Sequence, residues 1–204
     1  MEQQQAASTL GMWVFLATEV LFFGGALTVY AVYRLVYPAA FSAASNHLDV
    51  RIGAVNTVVL IGSSLTMAIA VWSARRNGPR STRMLVGSLA MTALLGSVFL
   101  AIKATEYSAK LAAGLFPGPA FRFPGAHARP AELFYSLYFV LTGLHALHLA
   151  IGIGVVAVVA ARAARGRYDL EYHGPVEITG LYWHFVDVVW IFLFPLLYLV
   201  GRGG

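Results

Sequence analysis

Five long apolar runs, almost free of charged residues, constrain this chain more than any other feature. They cover residues 10–36, 52–74, 84–107, 132–161 and 176–200. A transmembrane helix needs roughly 20 consecutive apolar residues, and each run is long enough to cross a bilayer. Because the runs use most of the 204 residues, little chain remains for a domain outside the membrane. The sequence therefore predicts an all-α, polytopic protein, a bundle of five transmembrane helices forming a single membrane domain over residues 1–204.

Composition supports this prediction and excludes several kinds of site. Only 11% of the residues are charged, whereas soluble domains contain about 25%. The absence of cysteine excludes disulfides, thiolate metal sites and thiol nucleophiles, although histidine-bound metal or haem stays open. The net charge of +5 comes mainly from basic residues in the segments between the apolar runs. That distribution indicates membrane topology rather than a nucleic-acid surface.

Basic residues in the loops predict the orientation. Arg75, Arg76, Arg80 and Arg83 lie in one short segment without an acid, which marks that loop as cytoplasmic. Five spans then put the N-terminus in the cytoplasm and the C-terminus in the periplasm. The first run is not expected to be a cleaved signal peptide, because residues 1–9 contain no Lys or Arg and the run itself is too long.

Glu19 is the most informative polar residue, because it lies inside the first run. It is about 15 Å from the start of that run at 1.5 Å per residue, near the bilayer midplane. An ionisable side chain at that depth costs at least about 2.5 kcal/mol on insertion scales. Two interpretations fit: a carboxylic acid that handles a proton or binds a partner, and a neutral acid that ties two helices together.

Two histidine-containing pairs lie in the last two runs. His145 and His148 are spaced i, i+3, as are His184 and Asp187, so each pair lies on one helical face. Such pairs could hold haem or a metal, but those sites need ligands from several helices, and no third strong cluster occurs. Hydrogen bonding between helices is the preferred interpretation.

A second set of polar residues predicts packing rather than chemistry. Lys103 and Glu106, also spaced i, i+3 near the outer end of the third run, are expected to form an ion pair at the membrane boundary. Ser63 and Ser64 are small polar residues that permit close helix approach and cross-helix hydrogen bonds. Pro195 should kink the last helix near its end.

The segment at residues 182–194, YWHFVDVVWIFLF, resembles the signature of subunit III of the haem-copper terminal oxidases, the cytochrome c oxidase subunit III family. The segment FLATEVLFF at 15–23, the pair Glu106-Tyr107 and the segment TGLHALH at 142–148 are similar to further elements of that family. The resemblance covers essentially the whole chain and is closest to the short, five-helix bacterial form. Lys103 is a departure, because the mitochondrial pattern has glutamine there.

This resemblance implies an accessory, non-catalytic subunit of a proton-translocating terminal oxidase in the bacterial cytoplasmic (inner) membrane. The expected main contact is with oxidase subunit I, with subunit II and a small subunit IV in the same complex, and the complex could join a respiratory supercomplex. Haem and copper are expected on the partner subunits, with no redox cofactor in this chain. The implied role is to stabilise subunit I, bind phospholipid and support proton uptake and oxygen access in aerobic respiration.

The resemblance also assigns residue roles. Glu19 corresponds to the family's carbodiimide-reactive buried carboxylate and His148 to its hydrogen-bond partner. Arg162, His173 and Glu177 correspond to lipid-binding positions. The remaining matched residues are structural elements of the family signature: His145, Glu106, Tyr107, Trp183, His184, Asp187 and Trp190. No catalytic residue and no metal ligand is expected.

Two alternatives remain beside this interpretation. One is a subunit III-like component of a quinol oxidase or a nitric oxide reductase. The other, from a different class, is a bis-histidine b-type membrane cytochrome that uses His145 or His148 together with His184.

Overall fold

The computed structural model describes residues 2–76, 78–124, 128–168 and 172–199, and within these ranges all regular structure is helical. The helices are α1 (Glu2–Val36), α2 (Pro38–Asn46), α3 (Val50–Ala74), α4 (Pro79–Ala112), α5 (Ala128–Ala164) and α6 (Gly174–Phe194), followed by a π-helical turn at Pro195–Leu199. All except α2 belong to segments long and apolar enough to span a membrane. The prediction of an all-helical, polytopic membrane protein is confirmed. The last predicted span, 176–200, ends at a residue outside the described ranges.

The segment after the first span contains a short helix that the sequence analysis did not predict. Pro38 occupies the first turn of α2, where its missing N–H costs no hydrogen bond. Phe41 and Ala44 are buried, so α2 packs inward, chiefly against α5. The Asp49 carboxylate then caps α3 by accepting hydrogen bonds from the backbone N–H groups of Arg51 and Ile52 at 2.8 and 3.2 Å. The connection is therefore ordered by local capping and packing.

Helix α6 lies at the centre of the bundle, and α1 lies at its edge. In the most apolar 18-residue stretch of the last span, 50% of the residues are buried inside the protein, whereas in that of the first span only 11% are. Helices α3 and α4 pack extensively along each other, α4 packs on α5, and α6 contacts both α3 and α5. Helix α1 makes lighter contacts with α5 and α6. Most of the α1 surface must therefore face lipid or another protein.

The end of α6 changes its helical winding at Pro195. The five residues from this proline onward form a π-helical turn, which brings Leu197 and Tyr198 into the core. Proline cannot donate the backbone hydrogen bond that would continue a regular α-helix, so a local change of winding is expected there. This turn carries a hydroxyl group into the polar cluster described below.

Candidate functional site

Glu19 of α1 and His148 of α5 meet where these helices contact each other. Nε2 of His148 lies 3.2 Å from Oε2 of Glu19, and their side chains are 15% and 19% exposed. Nδ1 of the same ring lies 2.8 Å from the Leu144 carbonyl oxygen, which can only accept, so Nδ1 carries a proton. Nε2 faces the carboxyl group, but the contact does not have hydrogen-bond geometry, and Oε2 of Glu19 has no hydrogen-bond partner within the described residues.

The side chains of Glu19 and His148 lie partly at the surface of the bundle. The Phe23 ring packs edge-on against His148 at 5.4 Å between ring centroids, which closes the inner side. Next to Glu19 along α1, Val20, Leu21 and Phe22 are exposed. The Glu19 side chain is itself 19% exposed, so part of it lies at the surface of the bundle, although its Oε2 atom is buried.

Lys103 and Glu106 form an ion pair, but the pair lies inside the bundle rather than at its surface. Their side chains are both 4% exposed. Nζ of Lys103 donates to Glu106 Oε2 at 3.0 Å and to the hydroxyls of Tyr138 and Tyr198 at 3.1 and 2.9 Å. Both hydroxyls in turn donate to Glu106 Oε1, at 2.8 and 2.6 Å. The predicted pairing of the two residues is confirmed, and the structure adds that the turn after α6 folds Tyr198 over the pair.

These four residues, Lys103, Glu106, Tyr138 and Tyr198, are called the ion-pair cluster. All three N–H donors of the lysine are used, and both carboxylate oxygens accept, so the charges are fully hydrogen-bonded. The cluster joins α4, α5 and the turn after α6. Tyr107, which follows the glutamate, instead directs its hydroxyl towards Thr142 of α5.

Three polar atoms of α6 bond to hydroxyl groups of α3. Trp183 donates its Nε1–H to Ser63 at 2.9 Å. Trp190 donates to Thr57 at 3.0 Å, and Nδ1 of His184 lies 2.7 Å from the Ser64 hydroxyl. Most of the signature segment is therefore committed to hydrogen bonds and packing between α6 and its neighbours.

The two histidine-containing pairs of α5 and α6 do not form isolated i, i+3 contacts. No hydrogen bond joins His184 and Asp187 within the described residues: both side chains lie beside the Ser64 hydroxyl, which is 2.7 Å from Nδ1 of His184. His145 is buried beside the rings of Phe99 and Trp190, with centroids 5.4 and 5.1 Å away. It therefore points away from the Glu19 contact made by His148. Within the described ranges, no three His, Asp or Glu side chains group closely enough to hold a metal ion.

Arg162 lies at the end of α5 in a basic recess. The recess has a volume of about 520 Å³ and is lined by Arg162, Arg165, Arg167, Tyr168 and Tyr172. The two tyrosine rings stack with their centroids 6.1 Å apart. Of these residues only Arg162 was predicted to bind lipid, although the other two arginines follow it within five residues. Three cations around one concave surface can bind an anionic group.

His173 and Glu177, predicted to bind lipid together with Arg162, do not line this recess. Glu177 Oε1 accepts from Arg75 Nε at 2.7 Å and lies 3.4 Å from Nε2 of His173. These residues connect the start of α6 to the end of α3. The three predicted lipid-binding positions are thus divided between two places.

Comparison with known proteins gives one consistent family. The sequence profile described as "Cytochrome c oxidase subunit III" matches residues 3–202. The chain is 36% identical over 191 residues to "Cytochrome c oxidase subunit 3" of Synechocystis sp., covering 93% of this chain and 74% of the relative. It is 32% identical to the protein of that name from Thermostichus vulcanus, covering 95% and 87% of the two chains. It is 31% identical to "Quinol oxidase subunit 3" of Bacillus subtilis, covering 96% and 88%.

Proposed function

The chain belongs to the cytochrome c oxidase subunit III family, and we propose that it is the accessory subunit III of a bacterial haem-copper oxygen reductase. The profile match along residues 3–202 carries this proposal. The relatives are named as subunits of cytochrome c oxidases and of quinol oxidases, so the electron donor of the complex is cytochrome c or quinol. A relation to nitric oxide reductase is the less favoured assignment, since the named relatives above are oxidase subunits.

In this role the chain contacts oxidase subunit I, shares a complex with subunit II and a small subunit IV, and binds phospholipid in the bacterial inner membrane. Its N-terminus faces the cytoplasm. Haem and copper reside on the partner subunits, and this chain supports proton uptake and oxygen access without a redox cofactor of its own.

Purification from the native membrane tests the proposal. In mild detergent, a tagged chain is expected to copurify with oxidase subunits I and II. Deletion of the chain should leave the haem spectrum intact but shorten the time for which the oxidase stays active during turnover. Copurification with nitric oxide reductase subunits would contradict it. So would a Soret band in the separated chain that disappears in His184→Ala, which would indicate a b-type cytochrome.

We predict that a hydrophobic carbodiimide labels Glu19 and lowers proton pumping. The reagent reacts with a protonated carboxyl group, and the partly exposed Glu19 side chain lies on α1 beside the exposed apolar residues Val20, Leu21 and Phe22. Mass spectrometry of the labelled complex locates the adduct. Labelling should disappear in Glu19→Gln and persist in the control Glu177→Gln, whose carboxylate is held by Arg75. Equal labelling of Glu19→Gln and the unmodified protein would contradict the prediction.

We also predict that Arg162→Ala depletes tightly bound anionic phospholipid. The substitution removes one of three cations around the basic recess, and each charge-assisted bond to a phosphate is stronger than a neutral one. Native mass spectrometry of the purified complex measures the lipid-to-protein ratio. Arg80→Ala, which removes an exposed arginine at the start of α4, serves as the control. An unchanged ratio in Arg162→Ala would count against a lipid role.

A further inference from the structure

Asp187 carries a membrane-buried carboxyl group that none of the roles above uses. The residue is 5% exposed, and it lies midway along the span Gly174–Leu199, in the hydrocarbon region of a bilayer. Within the described residues this carboxyl group forms no ion pair, whereas Glu106 is balanced by Lys103. An uncompensated charge at this depth is costly, so the group is stable there as a neutral acid that holds a proton.

The hydroxyl of Ser64 lies between this carboxyl group and an imidazole. Ser64 Oγ is 2.7 Å from Nδ1 of His184, and the Asp187 carboxyl group lies beside the same hydroxyl. Ser64 is close to the middle of the span Val50–Ala74, so the hydroxyl and the carboxyl group lie at a similar depth. A hydroxyl accepts one hydrogen bond while it donates another, and it can therefore pass a proton between two neighbours.

These three side chains line one recess between α3 and α6, with a volume of about 210 Å³. Its fourth polar group is the Thr57 hydroxyl, which donates to the Gly53 carbonyl at 2.8 Å and accepts from Trp190. The rest of the lining is aliphatic or aromatic. Since Thr57 already has both of its partners, Ser64 is the hydroxyl that remains for proton transfer.

Neighbouring charges leave these three groups to interact with one another. No charged side chain other than Asp187 lines the recess. The helices α1 and α5 also pack on α6, but Glu19 of α1 faces His148 of α5 instead. His145 of α5 lies against the Trp190 ring, with the centroids 5.1 Å apart. Within the described residues, the protonation of Asp187 is therefore connected chiefly to that of His184.

Two hydrogen-bond arrangements of these groups differ in where the protons lie. In the first, the Asp187 acid donates to Ser64, which donates to Nδ1 of His184. In the second, Nδ1–H donates to Ser64, which donates to the carboxylate. Passing from the first to the second moves the carboxyl proton to Oγ and the serine proton to Nδ1, so the serine is unchanged and an imidazolium forms. Loss of the Nε2 proton then leaves a carboxylate and a neutral imidazole, and one proton has been released.

We propose that Asp187, Ser64 and His184 form a proton-holding site inside the membrane, in which Asp187 stores one proton, Ser64 relays it and His184 exchanges it with the surroundings. The difference in burial gives the relay its direction, because Asp187 is buried while the His184 ring is partly exposed. This inference goes beyond the proposed function, in which His184 and Asp187 are structural elements of the signature segment. It does not depend on which enzyme contains the chain.

Infrared spectroscopy of the purified complex tests the proton-holding site. A protonated carboxyl group has a C=O stretching band that is separate from the carboxylate bands and shifts in D₂O. Asp187→Asn is expected to remove one such band. Ser64→Ala should keep the band but slow its shift after transfer to D₂O, on the order of 100-fold, as for the loss of a positioned proton-transfer group. Should Asp187→Asn fail to assemble, Asp187→Glu identifies the band by displacing it.

Two further variants distinguish the relay from a packing effect. Ser64→Thr keeps a hydroxyl and should restore exchange close to the rate of the unmodified protein. Thr66→Ala removes a hydroxyl of α3 that pairs with Thr92 outside the recess, and it should leave the band and its exchange unchanged. If no acid band responds to substitution of Asp187, the carboxyl group holds no proton and the proposal is overturned. Exchange in Ser64→Ala as fast as in the unmodified protein would overturn it as well, because Asp187 would then serve packing alone.

Discussion

Replacing Lys103 with methionine is expected to lower the free energy of unfolding by about 3–5 kcal/mol, the usual cost of removing one partner from a buried ion pair. The Glu106 carboxylate would then remain in the core without a cation to balance its charge. The hydroxyls of Tyr138 and Tyr198 would each lose the hydrogen bond that Lys103 donates. Thermal unfolding of the purified complex in detergent, followed by the loss of this chain from the complex, provides the measurement.

The double variant distinguishes a charge effect from a packing effect. Glu106→Gln alone leaves Lys103 buried without its counter-ion, so it should also be strongly destabilising. In Lys103→Met with Glu106→Gln no unpaired charge remains, and the loss should be smaller than the sum of the two single losses. Additive losses would contradict this account.

An exposed ion pair provides the control for these variants. Arg75 and Glu177 form a pair of similar distance whose side chains are 62% and 33% exposed. Because water and salt screen such pairs, Arg75→Met should cost at most about 1 kcal/mol. If Arg75→Met lowered the free energy of unfolding as much as Lys103→Met does, burial would not explain the contribution of the ion-pair cluster to stability.

For the ion-pair cluster, the sequence alone predicts the pairing of Lys103 with Glu106 but not the burial of the pair. The i, i+3 spacing predicted that Lys103 and Glu106 would pair, because residues so spaced lie on one helical face. It could not predict their burial, because the covering hydroxyl of Tyr198 comes 95 residues after Lys103. The spans themselves were predictable, because the length of an apolar run is a local property of the chain.

The same distinction applies to the candidate sites. Nothing in the i, i+3 spacing of His184 and Asp187 indicated that the histidine would turn to Ser64, 120 residues away in sequence. Likewise, the residues that line the basic recess could be named only in part, because their arrangement around one concave surface depends on tertiary packing. By contrast, the family resemblance implied Glu19 and His148 as hydrogen-bond partners, and their facing atoms lie 3.2 Å apart without forming a hydrogen bond. Contacts between residues far apart in sequence were thus known only from the family resemblance or from the structure. Pairs within one helix could be predicted from their spacing.

Trp183→Ala is expected to cost about 3–5 kcal/mol of unfolding free energy, as is usual for removing a large aromatic side chain from a core. The ring is fully buried between helices α3, α4 and α5. A Cβ atom added at Gly96 would lie 2.8 Å from the ring, and one added at Gly152 would lie 3.2 Å away. The glycines thus leave a slot that the indole fills. Trp72→Ala, at an exposed position where the ring stacks on Arg76, is the control and should cost about 1 kcal/mol or less.

Two further variants distinguish the stability that comes from the fit of the Trp183 ring from the stability that comes from its hydrogen bond to Ser63. Ser63→Ala keeps the ring but leaves its N–H without an acceptor, at a cost of about 1–3 kcal/mol. Gly96→Ala should be more destabilising in the unmodified protein than together with Trp183→Phe, because the smaller ring relieves the contact. Unfolding of the complex measures both effects, and its haem absorbance per complex should stay constant throughout. A change in haem absorbance with Trp183→Phe would instead connect this tryptophan to a redox centre, and the signature segment could no longer be explained by packing alone.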